Sequence, residues 1–313
     1  MHGLLKDHLR CSRGREAAEA LESLMRSEID VLTPRSLDEA LNILHENRNG
    51  LKIIAGGSDV IVQLRDGVIE ANELLNILSI KELRFVRMDN DCIHIGALAT
   101  YSDIVHSQLT RDHAWPLVEA ARQIGAIQLQ NTATIGGNLG NASPAGDSLP
   151  PLYALDAVVV TRSKAERREI PIENFFLAYR KTALKPDELI EQVYFNALGE
   201  QDRGAYMKLG LREANAISIV DVATVLRCRG KNETFAEARV ALGSVAPNIR
   251  RARGCEQSLT NKPLNHEVLK TAASLAATDA KPIDDIRGSA QYRKDVVASL
   301  VYEALNRALY GKK

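Results

Sequence analysis

Apolar residues fall at helical spacing in some stretches of the chain and alternate at strand spacing in others. After Pro34, Leu37, Ala40, Leu41 and Leu44 lie along one helical face, and Ser36 with Glu39 fits a capping box at its start. Leu51–Ala55 reads as a short buried strand ending at Gly56-Gly57; Ser58 then opens a helix through Leu64 that Gly67 stops. Leu74–Leu78 is a further strand, and Phe85–Met88 with Cys92–Ile95 predicts a hairpin turning at Asp89–Asp91. Thr100 and Asp103 cap a helix carrying Ile104 and Val105, and Trp115–Ile124 is amphipathic. Ala157–Thr161 and Glu169–Ile172 form a hairpin across the charged turn Arg162–Arg168, with the charge run Arg162–Glu169 read as a solvated tip; Leu189–Phe195 and Ala205–Leu211 continue the strand pattern. From about Ile217 long alternating segments, Val220–Cys228 and Ala238–Ser244, precede the helices Glu267–Ala277 and Val296–Leu309. This predicts a C-terminal α+β domain, a sheet with helices on one face. The first thirty residues carry one expected helix, Arg15–Met25.

One stretch breaks the pattern. Asn131–Pro151, NTATIGGNLGNASPAGDSLPP, is dense in Gly, Asn, Ser and Pro between apolar elements, and reads as an ordered functional loop. It holds the second of two Gly-Gly turns, Thr134-Ile135-Gly136-Gly137-Asn138; the first is Ala55-Gly56-Gly57-Ser58-Asp59. Glycine admits positive φ and close ligand approach, and successive amides in such turns make concave anion sites. A diphosphate or dinucleotide needs that arrangement, with Ser58, Thr134 and Asn138 as further donors. Neither turn is GxGxxG or GxxxxGK[ST], which excludes phosphate loops of those kinds. Asp147 precedes a predicted helix, Ser148–Leu155, where its carboxylate either caps the helix or holds a ribose hydroxyl.

Composition narrows the function further. The 313 residues predict two domains. Lys plus Arg and Asp plus Glu each number 40, which argues against nucleic acid or an acidic membrane as the main partner. Cys11, Cys92, Cys228 and Cys255 show no CxxC spacing, so no metal site is expected in the chain. No apolar run approaches the roughly 18 residues that span a bilayer, and the expectation is a soluble, cytoplasmic protein with no membrane contact. His94, His106 and His113 share no spacing and read as structural, and no catalytic nucleophile or acid–base residue is nominated.

AGGSD at 55–59 and TIGGNLGNASPAGD at 134–147 resemble the two flavin motifs of the FAD-binding (medium) subunits of the xanthine dehydrogenase and carbon monoxide dehydrogenase family of molybdenum hydroxylases. The likeness continues through YMKLGLREA at 206–214, ALGSVAP at 241–247 and RGSAQYR at 287–293, from about residue 30 to the end. The resemblance implies an α+β protein: an FAD-binding domain of the vanillyl-alcohol-oxidase-like (PCMH) type, two α/β subdomains over residues 30–203, then a sheet-plus-helices domain over 204–313. Residues 1–29 are an extension beyond the family's usual start. By matching position Ile54, Ala55, Gly56, Gly57, Ser58, Asp59, Val60 and Ile61 wrap the diphosphate, with Thr134, Gly136, Gly137 and Asn138 as the second wall. Asp147 holds the ribityl or ribose region, Ile190 and Lys208 approach the flavin or adenine, and Ile124 is an apolar contact. Ile124 and Ile190 read equally well as plain core, and Lys208 as a solvated strand residue.

The family implies FAD in this chain, and the molybdopterin cofactor and two [2Fe–2S] clusters on large and small partner subunits, in a dimer of heterotrimers. Electrons would pass from the clusters through FAD to NAD or another acceptor. The short Arg162–Arg168 turn leaves no room for an iron–sulfur insertion of the hydroxybenzoyl-CoA reductase kind, and Leu209–Ser218, near the flavin ring in the family, has no aromatic residue. Two other readings stand beside this one: a self-sufficient FAD-dependent oxidase or reductase with its own substrate pocket, and an assembly subunit without flavin.

Overall fold

The computed structural model describes residues 29–46, 49–229 and 234–311; the expected helix Arg15–Met25 lies outside the described residues. The chain opens with β1 (Asp30–Leu32), α1 (Leu37–His45), β2 (Leu51–Ile54), α2 (Val60–Arg65) and β3 (Glu73–Asn76). The strands form a parallel sheet in the order β1-β3-β2. α1 starts where the sequence places it, because the Ser36 hydroxyl accepts from the Glu39 amide at 3.2 Å. The Glu39 carboxylate bonds the Arg35 amide at 2.7 Å, one residue earlier than a capping box requires. Ala40, Leu41 and Leu44 then face a small core with Leu75, Ile77, Ile80 and Leu83.

β4 (Val86–Asp89) and β5 (Cys92–Gly96) make the predicted hairpin, with Asn90 and Asp91 at φ 47° and 61°, left-handed values suited to a tight two-residue turn. Six helices follow: α3 (Tyr101–His106), α4 (Gln108–His113), α5 (Trp115–Arg122), α6 (Ile127–Thr132), α7 (Ile135–Asn141) and α8 (Leu149–Ala154). The expected loop over Asn131–Pro151 is therefore largely helical. Glycine's poor helix propensity hides α7 in the sequence. It forms because Thr134 caps it and because its glycine face seats on β5, where a Cβ at Gly136 would stand 2.6 Å from that of Ala97.

The chain continues through β6 (Val158–Arg162), β7 (Arg167–Pro171), the short α9 (Ile172–Phe175), the two-stranded β8 (Phe176–Ala178) and β9 (Lys181–Thr182), and β10 (Leu189–Asn196). The resulting antiparallel sheet runs β4-β5-β10-β6-β7. The β6–β7 tip is more than a solvated charge run. Arg168 forks onto both oxygens of Glu188 at 2.6 and 2.7 Å, and the Glu188 side chain is fully buried.

The second domain is an antiparallel sheet, β11 (Asp202–Gly210), β12 (Ser218–Arg229), β13 (Thr234–Gly243) and β14 (Arg250–Arg251), with α10 (Arg253–Leu259), α11 (His266–Ala276) and α12 (Ala290–Tyr310). The three helices cover one face, and α5 and α8 of the first domain pack on the other. β12 shows why it reads as a nearly continuous apolar run: Val220, Val222 and Leu226 point to the helices, Ala223 and Val225 to the first domain. Asp221 shares the face of Ala223, so a charge-bearing side chain sits at the domain seam.

Burial works to raise the Glu188 carboxyl, but the Arg168 hydrogen bonds, the Lys185 amide and the nearby cations outweigh it and hold it below its ordinary value of 4.5. Arg168→Ala should cost about 3 kcal/mol near pH 7 by stranding that charge. The loss should shrink in denaturant titrations as the pH falls through the lowered value, because a protonated Glu188 no longer needs the cation.

Candidate functional site

β2 delivers the chain into the first Gly-Gly turn. Gly57 sits at φ +73°, which a side chain disfavours, and Gly56 is pressed so close to Thr132 that a Cβ would lie 1.9 Å from its carbonyl oxygen. The next backbone bonds are Ile61 to the Gly57 carbonyl (3.1 Å) and Gln63 to that of Asp59 (2.9 Å). Among the described residues the amides of Gly56, Gly57, Ser58, Asp59 and Val60 donate to no protein acceptor. Five adjacent half-buried donors around a turn make a cradle for an anion.

The second turn is different. From Ile135 to Asn138 its amides are used within the protein: Ile135 to Ala99 O (3.0 Å), Gly136 to Ala97 O (2.9 Å), Asn138 to Thr134 O (3.0 Å). Gly137 donates to the Thr134 hydroxyl at 3.1 Å. It is a helix start rather than an anion nest, and the Asn138 backbone amide is not available to a ligand. A Cβ at Gly137 would meet only the Thr134 hydroxyl, at 2.9 Å, so the second glycine of this pair faces open space.

Side chains tie these walls together. Asn141 donates to Asp59 at 2.8 Å and accepts from Gln63 at 2.8 Å. The Asn138 side-chain oxygen accepts from Ser148 at 2.8 Å, and the buried Tyr101 hydroxyl meets Ser148 at 3.0 Å. Ile190 is buried beneath α7, its Cδ1 3.9 Å from where a Gly140 Cβ would be. Ile54, Ala55 and Val60 are half-buried and Ile61 is 51% exposed. Ile124 is half-buried against the main core.

Asp147 and Lys208 converge on each other. The Lys208 ammonium is 2.6 Å from Asp147 Oδ2, with side-chain exposures of 6% and 9%, and also donates to Gln123 O at 3.0 Å, next to Ile124. Ser218 donates to Asp147 Oδ1 at 2.5 Å, and Tyr206 at 3.2 Å. The cap reading of Asp147 is thereby corrected: Ser148 is the N-cap residue of α8, and Asp147 spends its oxygens across the seam. Lys208 is likewise not a solvated strand residue. Burial pushes the Asp147 carboxyl above its usual range, with Lys208, Ser218 and Tyr206 working against it. Asp221, fully buried behind Tyr206, is pushed much higher by burial and then by the charge of Asp147.

The β11–β12 connection leans over this region, the Asn215 amide bonding Gly125 O at 3.1 Å, and exposes Leu211 and Ile217 (70% and 64%). These are its apolar surfaces in place of an aromatic. A cleft of about 550 Å3 elsewhere, lined by Tyr153, Glu173, Phe176, Asn248–Arg251, Arg253, Thr278, Asp279 and Lys281, contains none of the nominated residues. Among the described residues no cluster of His, Cys, Asp and Glu is arranged to hold a metal ion. Tyr101, Asn141, Tyr206, Ser218 and Asp221 were not nominated from sequence. Asp221, a lone charge inside the apolar run SIVDVATV, was the one with a visible signal.

A cradle of free amides between two α/β layers, closed by a second sheet-and-helix domain, defines a nucleotide-cofactor-binding protein. Residues 27–195 match the family described as FAD binding domain in molybdopterin dehydrogenase, and residues 205–308 the CO dehydrogenase flavoprotein C-terminal domain. The chain belongs to this family, the FAD-binding subunits of xanthine and carbon monoxide dehydrogenases among the molybdenum hydroxylases. It is 30% identical over 276 residues to a putative xanthine dehydrogenase FAD-binding subunit of Escherichia coli K12, covering 88% of this chain and 94% of that one. It is 30% identical to the carbon monoxide dehydrogenase medium chain of Hydrogenophaga pseudoflava, covering 88% and 95%. A solved structure of carbon monoxide dehydrogenase from that organism superposes with a TM-score of 0.87 at 29% identity, over 91% of this chain and 98% of the other.

The two glycines of the second pair should separate in mutants. Gly136→Ala should lower the stability of the flavin-free chain by about 1–3 kcal/mol through overpacking on Ala97. Gly137→Val should cost that chain no more than its cap, about 0.5–2 kcal/mol, yet abolish flavin retention. Thermal melts and flavin absorbance of each variant check both, and full flavin content in Gly137→Val would remove α7 from the site.

Proposed function

We propose that this chain is the flavin-carrying electron-transfer subunit of a molybdenum hydroxylase or dehydrogenase. It would take electrons from two [2Fe–2S] clusters on a small partner subunit, themselves fed by a molybdopterin centre on a large one, and deliver them to NAD or another acceptor. The observation that carries this reading is the row of unpaired amides at Gly56–Val60. It fits FAD, whose diphosphate needs several donors converging without side chains in the way. When bound, FAD supplies the redox chemistry, accepting electrons singly and passing them on in pairs.

The protein's part is position and shielding. The 56–60 turn binds the diphosphate by backbone, α7 is the opposite wall, and Asp59 is held in place by Asn141. The Asp147–Lys208 pair presents a fixed ammonium and carboxylate to the ribityl and flavin end. Ile124, Leu211 and Ile217 are apolar surfaces for the ring. We place the division between FAD-binding and C-terminal domains at 203/204, within the first residues of the strand β11, and assign the chain to a cytoplasmic dimer of heterotrimers. Among the described residues no helix is long and apolar enough to cross a membrane. Relatives named for xanthine, nicotinate and glyceraldehyde dehydrogenases resemble this chain at 30–31% identity, which fits a substrate chosen by another subunit.

The test is the visible spectrum of the natively purified protein with and without co-purifying chains. Flavin bands are expected on this chain alone, and iron–sulfur absorbance only when two further subunits accompany it. NAD added to the reduced complex should restore the oxidised-flavin bands, as the flavin gives up its electron pair, if NAD is the acceptor. Substrate turnover by the isolated chain would instead favour a self-sufficient oxidase, and a chain that neither holds added FAD nor recruits partners would overturn the proposal.

A further inference from the structure

The Tyr206 hydroxyl lies 3.2 Å from Asp147 Oδ1 and 3.3 Å from Asp221 Oδ2. A phenol has one proton and can donate to one of them. Asp147 is the acceptor that the surroundings favour, since Lys208 and Ser218 also point their protons at it. The contact to Asp221 is then attractive only if Asp221 brings a proton of its own. The surroundings do little for an ionised Asp221: it is 0% exposed and its Oδ1 has no hydrogen-bond partner, and the nearby Lys208 charge and Ser244 hydroxyl favour the anion less than burial opposes it. That carboxyl also lies against bare backbone, where a Cβ on Gly243 would stand 2.4 Å from Oδ1.

We propose that Asp221 carries its proton at neutral pH and is the fixed end of a one-way hydrogen-bond chain, Asp221 to Tyr206 to Asp147, that orients the Asp147–Lys208 pair toward the FAD site. Asp221 is thus a positioning residue, acting through Tyr206. The inference rests on Asp147 and Lys208 facing the cofactor, as set out above.

The groups around Asp221 are accounted for on every side. β11 brings Tyr206 and Lys208, the latter directly across the strand pair from Asp221. β13 and its turn bring Gly243 and Ser244, and the first domain brings Asp147. From α12 the nearest cation is Arg293, already committed to the carbonyls of Ile219 and Ser244 and to Asp285. Arg287 is committed to Ser218 O and Asp285. Two buried carboxyl groups therefore share one adjacent ammonium, a balance that keeps one proton in the cluster. Burial and the charge of Asp147 both favour Asp221 as its holder.

The chain gives a signature that plain packing would not. Unfolding releases the Asp221 proton above the ordinary carboxyl value, so stability should fall as pH rises from the ordinary carboxyl range toward neutral, the unfolding constant growing about tenfold per unit from this group. Infrared spectra of the full chain without FAD should contain a protonated-carboxyl carbonyl band at pH 7 that disappears in Asp221→Asn. Tyr206→Phe should leave the band but shift it, as the acid loses its acceptor. Asp221→Leu should weaken FAD about two- to tenfold, the worth of one hydrogen bond between neutral groups, and Asp221→Asn should recover most of that loss and lack the one-proton pH slope.

Absence of the acid band at pH 7, or a pH slope unchanged in Asp221→Asn, would overturn the proposal. So would FAD affinity equal in wild type and Asp221→Leu while Asp147→Ala loses flavin. If Asp147→Ala itself keeps its flavin, the placement of Asp147 at the cofactor fails, and the orienting role of Asp221 fails with it.

Discussion

At Gly56 two stretches of backbone meet with no space for a side chain: a Cβ there would stand 1.9 Å from the Thr132 carbonyl oxygen. The cradle depends on that contact. It holds the β2–α2 turn of the parallel sheet against the segment leading into α7, which belongs to the antiparallel one. Gly136 repeats the device one step further, seating α7 on Ala97 at the end of β5. Contacts between backbones have no rotamers to adjust, so the spacing between the amide row and the facing helix is fixed more tightly than side chains could fix it. A ligand that must thread between them gains from finding its donors already placed.

The second domain closes the arrangement through charges rather than glycines. On one side of the seam Lys208, Tyr206 and Ser218 converge on Asp147. On the other, Asp156 of the first domain receives Arg239 at 2.9 Å and Arg251 at 2.5 Å, and Arg251 is held in turn by Glu256. Alanines and aliphatic residues of β12 and β13 fill the space between. The buried Asp147–Lys208 pair adds little stability over apolar residues of equal volume, because desolvation cancels much of the attraction, and the contacts to the half-exposed Asp156 are screened by solvent. Their effect is on geometry. Two separated charge contacts admit one register of sheet on helices, and that register decides where Lys208 stands relative to the cradle.

Much of the fold was legible in the sequence wherever one period ruled. The β4–β5 hairpin, α1 with its Ser36 cap, and the long strands of the second domain follow from alternation or helical spacing alone. α7 did not, because its composition argues against a helix and only its packing on β5 makes one. The charged β6–β7 turn was legible only in part: Lys164–Arg167 are exposed as expected, but Glu188, the partner of Arg168, lies 20 residues away in sequence and is fully buried. The site was legible as positions and not as bonds. Asp147 and Lys208 are 61 residues apart, and no local pattern announces that they are each other's partner.

The two Gly-Gly pairs make the same point about mechanism. As dipeptides they are identical, and a motif treats them alike. In space, the first member of each is a structural necessity, needed so that another backbone or Cβ can come close. The second member differs: Gly57 is held at positive φ within a run of unpaired amides, while Gly137 is ordinary helix whose amide is already used. One pair can therefore bind by donating, and the other only by leaving room. On the proposed placement, a cofactor would be gripped at its phosphates by the first loop and merely shaped by the second. Its orientation beyond the diphosphate would then draw on the polar groups that Asp147 gathers across the seam.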